Sequence, residues 1–297
     1  MNAVVLAYGL SQGTSDGERR ATARRCLAEF WHAISDTARW SLLKPSPVDQ
    51  ALSPGNMDFS PFYQWFEGLT RMASPYQLNP LNINPLKDVL LETVDFDALH
   101  RSCPIQLFVC ATNVKTGRIR IFRYNEVSAD AVMASACLPQ LFQAVEVDGE
   151  FYWDGGFIGN PPIYPLIYNT QTADVLIVQI NPINIPDVPV TAQDIADRVN
   201  TLSFNSSLMR EMRSINFVTK LLDEHRVDPA YYKKLLIHSI DAEQTMAELG
   251  VSSKLNADRN FLYFLFELGQ HKAKEFLGRH YDQIGRESST NIIEKFL

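Results

Sequence analysis

The feature that most constrains the fold is the dipeptide Asp148-Gly149, set between the runs 144–147 and 150–153. Both runs suit extended backbone, and Asp-Gly fits the two positive-φ positions of a type I′ turn, so the pattern predicts a tight β-hairpin. A second hairpin is predicted upstream, where 105–111 and 118–123 flank a loop containing Lys115-Thr116-Gly117. Residues 174–180 are almost continuously apolar, which predicts a strand with helices over both faces.

Helical patterns surround these strands. Ser15 and Glu18 have capping-box spacing, and Leu27, Phe30, Trp31 and Ile34 recur at helical intervals, so 16–38 is expected to be a helix. Further helices are expected over 85–100, over 129–137 with Pro139 as the stop, and over 192–224, where Ile195, Val199, Leu202, Met209, Met212, Ile215 and Leu222 fall near one face. A strand at 235–237 and two C-terminal helices complete the pattern. Seven prolines between 45 and 85, with Phe59, Phe62, Tyr63, Trp65 and Phe66 among them, predict a lobe of short helices and loops rather than a linker. Helices alternating with buried strands give an α/β class, a three-layer α/β/α domain.

Composition narrows the function. The 297 residues are 46% hydrophobic and carry a net charge of −7, which argues against nucleic acid as a partner and against membrane contact through a broad cationic patch. Cys26, Cys103, Cys110 and Cys137 have neither CxxC nor metal-like spacing, so they read as buried thiols of a reducing compartment, and a cytoplasmic location is expected. The six histidines show no spacing that would build a Ser-His-Asp triad or a metal site, and no metal or cofactor is expected. The apolar run 3–7 is too short and lacks the basic lead of a signal peptide, and no stretch reaches the roughly 20 apolar residues of a membrane span. Asn205-Ser206-Ser207 matches a glycosylation sequon but lies inside a predicted helix.

The chemistry centres on Trp153-Asp154-Gly155-Gly156, an acid at a strand end followed by two glycines. The strand fixes the carboxylate's direction, and the glycines let another segment or a substrate approach closely, so Asp154 can serve as a general base. A plain tight turn is the simpler reading of the tripeptide alone. It lies, however, in a longer string that runs from Ala134-Ser135-Ala136-Cys137-Leu138-Pro139 through Phe142 and Asp148-Gly149 to Gly159-Asn160-Pro161-Pro162. That string resembles the C-terminal half of the catalytic domain of patatin-like phospholipases. The resemblance implies a Ser/Asp dyad without a catalytic histidine, with Asp154 as its base in the motif Asp154-Gly155-Gly156.

In that family the nucleophile sits in a Gly-x-Ser-x-Gly elbow preceded by a glycine-rich oxyanion loop. Residues 1–7 resemble the helix that follows the elbow, which implies that the nucleophile lies upstream of Met1 and that the first strand, oxyanion loop and elbow are missing. Two literal matches, 9–13 around Ser11 and 13–17 around Ser15, are substitutes; an elbow requires a strand running into a sharp turn, and Ser15 is better used as a helix cap. Ser135, among small residues, lacks an elbow. The resulting expectation is a patatin-like catalytic domain over 1–182 with a mainly helical region over 183–297, acting on lipid or other acyl esters, with peripheral membrane contact in reach. The alternative is a catalytically inactive fragment or a non-catalytic binding protein of the same fold. Loss of the leading strand is expected to leave an apolar sheet face and an open edge.

Overall fold

The computed structural model describes residues 1–39 and 41–297. Two compact units emerge, one formed by 1–158 with 252–262 and the other by 159–251 with 263–297.

In the first unit, α1 (Asn2–Ser11) and α2 (Asp16–Ala38) meet at a tight connection. The boundary of α2 follows from its cap: the Ser15 hydroxyl accepts from the Glu18 N–H while the Glu18 carboxylate accepts from the Ser15 N–H, so two otherwise orphaned donors are satisfied. Val4, Val5 and Ala7 of α1 are fully buried, packed with Phe30 of α2. Burying each valine contributes about 1.5–3 kcal/mol relative to leaving it in water.

The proline-rich stretch forms α3 (Pro47–Leu52), α4 (Pro61–Met72) and α5 (Pro75–Leu78), each opening with a proline behind a serine. Asp49, fully buried, holds this lobe together by accepting from the N–H groups of Ser46 at 2.7 Å and Phe59 at 2.6 Å. Of Phe59, Phe62, Tyr63, Trp65 and Phe66 only Tyr63 is buried; Trp65 is 61% exposed, and Met72 and Leu81 are more exposed still. The helix expected over 85–100 is two helices, α6 (Pro85–Thr93) and α7 (Phe96–Ser102), because Asp95 breaks the pattern by capping the second.

Both hairpins form. β1 (Phe108–Asn113) pairs with β2 (Ile119–Arg123), and β3 (Val145–Val147) with β4 (Glu150–Asp154). Asp148 and Gly149 have φ of 53° and 78°, the left-handed pair that a type I′ turn requires. β1 then joins the two hairpins through β4, giving one antiparallel sheet in the order β2-β1-β4-β3 with Ala111 opposite Asp154. The small-residue helix α8 (Ala129–Ala134) lies in the same core, its Ala131, Val132 and Ala134 inaccessible.

The second unit contains α9 (Tyr164–Asn169), β5 (Asp174–Gln179), α10 (Ala192–Asp223), β6 (Leu236–Asp241), α11 (Glu243–Ala247), α12 (Arg259–His280, from Tyr263 onward) and α13 (Ile292–Phe296). β5 and β6 form a parallel pair. Here two expectations are corrected. β5 is covered on one face, where Val175 and Ile177 are buried beside Ile237 and Met212, while Leu176 and Val178 on the other face are 48% and 68% exposed. In α10 the apolar row Ile195, Val199 and Leu202 faces solvent, because Arg198 and Asn205 on the opposite side hydrogen-bond the carbonyls of Ile183 and Pro182 and turn the polar side inward. Asn205 is buried by that contact, which agrees with discounting its sequon. Cys26 and Cys137 are buried, whereas Cys103 and Cys110 are only half-buried, and no disulfide joins them.

Candidate active site around Asp154

Asp154 is the last residue of β4, and the backbone around it is pinned from three directions. Its N–H donates to the Cys137 carbonyl at 2.8 Å, its own carbonyl accepts from the Thr112 hydroxyl at 2.8 Å, and β4 is in register with β1. The chain then turns through the short 3-10 segment Gly155–Phe157, and the Gly156 N–H donates to one oxygen of the Asp154 carboxylate at 2.7 Å. Both glycines are buried. A Cβ on Gly155 would sit 2.3 Å from the Cys110 carbonyl oxygen and 2.4 Å from its sulfur, so only glycine allows β4 to pass this close to β1.

The electrostatics follow from that enclosure. Burial pushes the Asp154 carboxyl above the ordinary carboxylate range, and the Gly156 N–H, Lys254 and the Met1 amine, in that order, pull it back. The Met1 amine is lowered by its own burial, with Asp154 acting against that effect. The thiols of Cys110 and Cys137 are each pushed up to about 11, chiefly by burial and further by the nearby Asp154 charge. Thiols held protonated in this way are not nucleophiles at neutral pH. The site is therefore a half-buried carboxylate with one fixed N–H donor, two neutral thiols, and two amines within electrostatic reach.

The serines considered from sequence lie in helix ends. Val4–Tyr8 belongs to α1 and is not a strand; Ser11 closes that helix, its hydroxyl donating to the Tyr8 carbonyl at 2.7 Å. Ser15 caps α2, and the Ser135 hydroxyl donates to the Val132 carbonyl at 2.7 Å. Three partners of the Asp154 neighbourhood escaped the sequence pattern: Cys110, the Met1 amine and Lys254. Only the first adjoins a recognisable strand, and nothing local relates residue 254 to residue 154.

With this geometry in place, comparison with known families is decisive: the patatin-like phospholipase profile matches residues 2–167. The chain belongs to the patatin-like phospholipase family. That family comprises lipid acyl hydrolases, and the matched span contains all of β1–β4 and the Asp154-Gly155-Gly156 turn. Among curated proteins none matches the chain.

A second constellation in this patatin-like chain was not expected from the histidine spacing. In the second unit the Ser289 hydroxyl lies 2.9 Å from His238 Nδ1, and His238 Nε2 lies 3.0 Å from Asp174. The Ser289 N–H also points at Nδ1, at 3.4 Å, which leaves Nε2 as the protonated nitrogen that donates to Asp174. Despite its triad-like order this is a latch. His238 is 1% exposed, the Thr290 N–H is taken by the Ile237 carbonyl, and the Ser289 N–H by His238, so neither amide flanking the hydroxyl can act as an oxyanion donor. Among the described residues no group of three His, Cys, Asp or Glu is placed to hold a metal ion, and no described helix is long and apolar enough to cross a membrane.

Proposed function

We propose that the protein hydrolyses acyl esters of lipids through a Ser/Asp dyad in which Asp154 is the base. The observation that carries this reading is the enclosed Asp154 carboxylate at the end of β4, its backbone fixed by Cys137 and Thr112 and one oxygen held by the Gly156 N–H at 2.7 Å, inside the span that matches the family. A Gly-x-Ser-x-Gly elbow leading into α1 would set its serine at the positive end of that helix, where developing negative charge is favoured.

In the proposed reaction the serine oxygen attacks the ester carbonyl carbon while its proton passes to Asp154. The tetrahedral intermediate collapses, the alkoxide leaves with that proton, and water repeats the sequence on the acyl-enzyme. Because Asp154 acts as its anion and its carboxyl is raised, the rate should climb with pH through a midpoint above the ordinary carboxylate range.

The exposed aromatic lobe supports a lipid substrate presented at an interface. Trp65 and Phe62, stacked edge to face at 5.9 Å, and Met72 project from α4, and the ion pair Glu67–Arg71 at 2.8 Å neutralises its own charges. The test is hydrolysis of short soluble and long vesicle-borne acyl esters by residues 1–297 and by a protein extended upstream, each beside Asp154→Asn. Activity confined to the extended protein, favouring vesicle-borne ester and lost in the variant, is the expected result. Turnover that survives Asp154→Asn would overturn the dyad, and a folded extended protein without activity would favour the binding-protein alternative.

A further inference from the structure

An amphipathic helix of a globular protein turns its apolar stripe toward the core. α4 does the reverse. Phe62, Trp65, Leu69 and Met72 are spaced three, four and three positions apart and so share one side of the helix. Phe62, Trp65 and Met72 are exposed, Met72 by 87%, while Tyr63 on the far side is buried. After α5 the turn 79–83 adds Leu81, 81% exposed, and Ile83. This turn is fixed from within: the Asn79 side chain donates to the Ile83 carbonyl and accepts from the Ile83 N–H, both at 2.9 Å. The Asn79 carbonyl accepts from the Asn82 N–H at 2.9 Å and from the Gln143 side chain at 2.8 Å.

We propose that α4 and the 79–83 turn form a docking surface for a zwitterionic phospholipid bilayer, with Trp65, Met72 and Leu81 as the side chains that enter it. The idea deepens the lipid-hydrolase reading above and rests on it for its purpose, whereas the surface itself is a property of residues 59–83.

Charge, backbone and side-chain type each favour a bilayer over a protein partner. Residues 59–83 contain only two charged side chains, Glu67 and Arg71, and these pair with each other at 2.8 Å. Such a surface, on a chain of net charge −7, has no cations to draw it to an anionic membrane and no charged rim by which a protein partner would be selected. Lipid admits an irregular turn only to the extent that its polar backbone groups are already bonded. In 79–83 the N–H groups of Asn79, Asn82 and Ile83 are bonded inside the protein, and Pro80 has none. The indole of Trp65 suits the headgroup boundary, and Met72 and Leu81 suit the acyl region beneath it. A turn already closed by Asn79 also has little freedom left to lose on insertion.

The experiment is co-sedimentation of the 1–297 chain with sucrose-loaded phosphatidylcholine vesicles. Wild type should bind, and to the same extent at ~0.1 M and ~1 M salt. Met72→Asp and Leu81→Asp should each lower the partition coefficient ~10-fold or more, since each withholds an apolar side chain from the bilayer and adds a charge there. Val188→Asp puts the same charge at a similarly exposed apolar position of the second unit and should bind as wild type does. All three positions are exposed, so the variants keep the fold, which thermal melts check. The proposal is overturned by a wild type that does not bind, by stronger binding to phosphatidylserine than to phosphatidylcholine vesicles, by either lobe variant binding as wild type does, or by an equal loss in Val188→Asp. A dimer in sedimentation velocity that Leu81→Asp dissociates would also overturn it and give the surface to a second copy of the chain. Because the readout needs no turnover, an extended protein that binds vesicles without hydrolysing ester would count against the dyad alone, and one that hydrolyses ester without binding vesicles would count against the docking surface alone.

Discussion

Two aspartates at strand ends show how one side chain acquires opposite properties. Asp154 closes β4 inside the first unit, where burial is the largest influence and the Gly156 N–H, with weaker help from Lys254 and the Met1 amine, only partly opposes it, so its carboxyl is raised. Asp174 opens β5 in the second unit, nearer to water, and the Gly285 N–H at 2.7 Å and the His238 imidazole at 3.0 Å both stabilise its anion, so its carboxyl is lowered. The first carboxylate is under-solvated and under-bonded, a state suited to taking a proton. The second is fully engaged, a state suited to holding β5, β6 and the 285–290 segment together. Chemistry and architecture are separated here by the number of donors supplied to each anion.

The largest effect expected from breaking this contrast is at Asp154. In an active extended protein Asp154→Asn should lower hydrolysis ~10²–10⁴-fold, the range for loss of a general base. The same change removes an uncomfortable anion while Asn can still accept from Gly156, so the melting temperature at neutral pH should rise rather than fall. A raised folded-state carboxyl gives stability that is present at acid pH and lost as pH rises through the raised value. The gain in Asp154→Asn should accordingly vanish on acidification. A variant that loses activity and stability together would remove the contrast.

Next is Gly155→Ala, whose new Cβ would fall 2.3 Å from the Cys110 carbonyl oxygen, a backbone atom held by the β1–β4 ladder. The expected loss is about 3 kcal/mol in denaturant unfolding. Stability unchanged within a few tenths of that figure would mean that β4 is free to move away from β1.

Asp174→Asn should act in the opposite sense to Asp154→Asn. It removes a carboxylate that accepts from Gly285 and His238, at a cost of about 1–3 kcal/mol at neutral pH. A lowered folded-state carboxyl contributes stability that is present above its unfolded value and lost as pH falls through the folded one. Wild type and variant should therefore converge in acid, below the ordinary carboxylate range. Thermal melts at neutral and acid pH decide it, and a constant difference would show that the charge of Asp174 is not what matters.

What was legible in the sequence was local. The Asp148-Gly149 turn needs only two adjacent residues and the Ser15–Glu18 box two residues three positions apart, so their spacing encodes their geometry. Asp154-Gly155-Gly156 was legible for the same reason, although the purpose of Gly155 emerges only when Cys110 is placed beside it. The exposed faces of β5 and of the first half of α10 were not legible, because an apolar residue carries no mark of which neighbour covers it. The His238 latch joins residues 64 and 51 positions from the histidine, and hydrogen bonds from Met57 to Ser252 and from Asn256 to Gly55 join segments about two hundred positions apart; such contacts depend on the completed fold.

The smallest predicted effects separate the two serines that match an elbow on paper. Ser15→Ala deletes the hydroxyl that accepts from Glu18 N–H and frees the first turn of α2, and should cost about 1 kcal/mol. Ser11→Ala removes a hydroxyl that bonds only within its own helix end and to Gln12, and should change stability by less than about 0.5 kcal/mol. Neither residue follows a strand, and α1 ends where an elbow would need to begin, so neither change should alter hydrolysis by an active extended protein. Chemical denaturation measures the first pair of values, and ester turnover the second. A rate that collapses in Ser11→Ala or Ser15→Ala with the fold intact would move the nucleophile into α1 or α2, and would require the Asp154 carboxylate to work with a serine drawn out of a helix terminus.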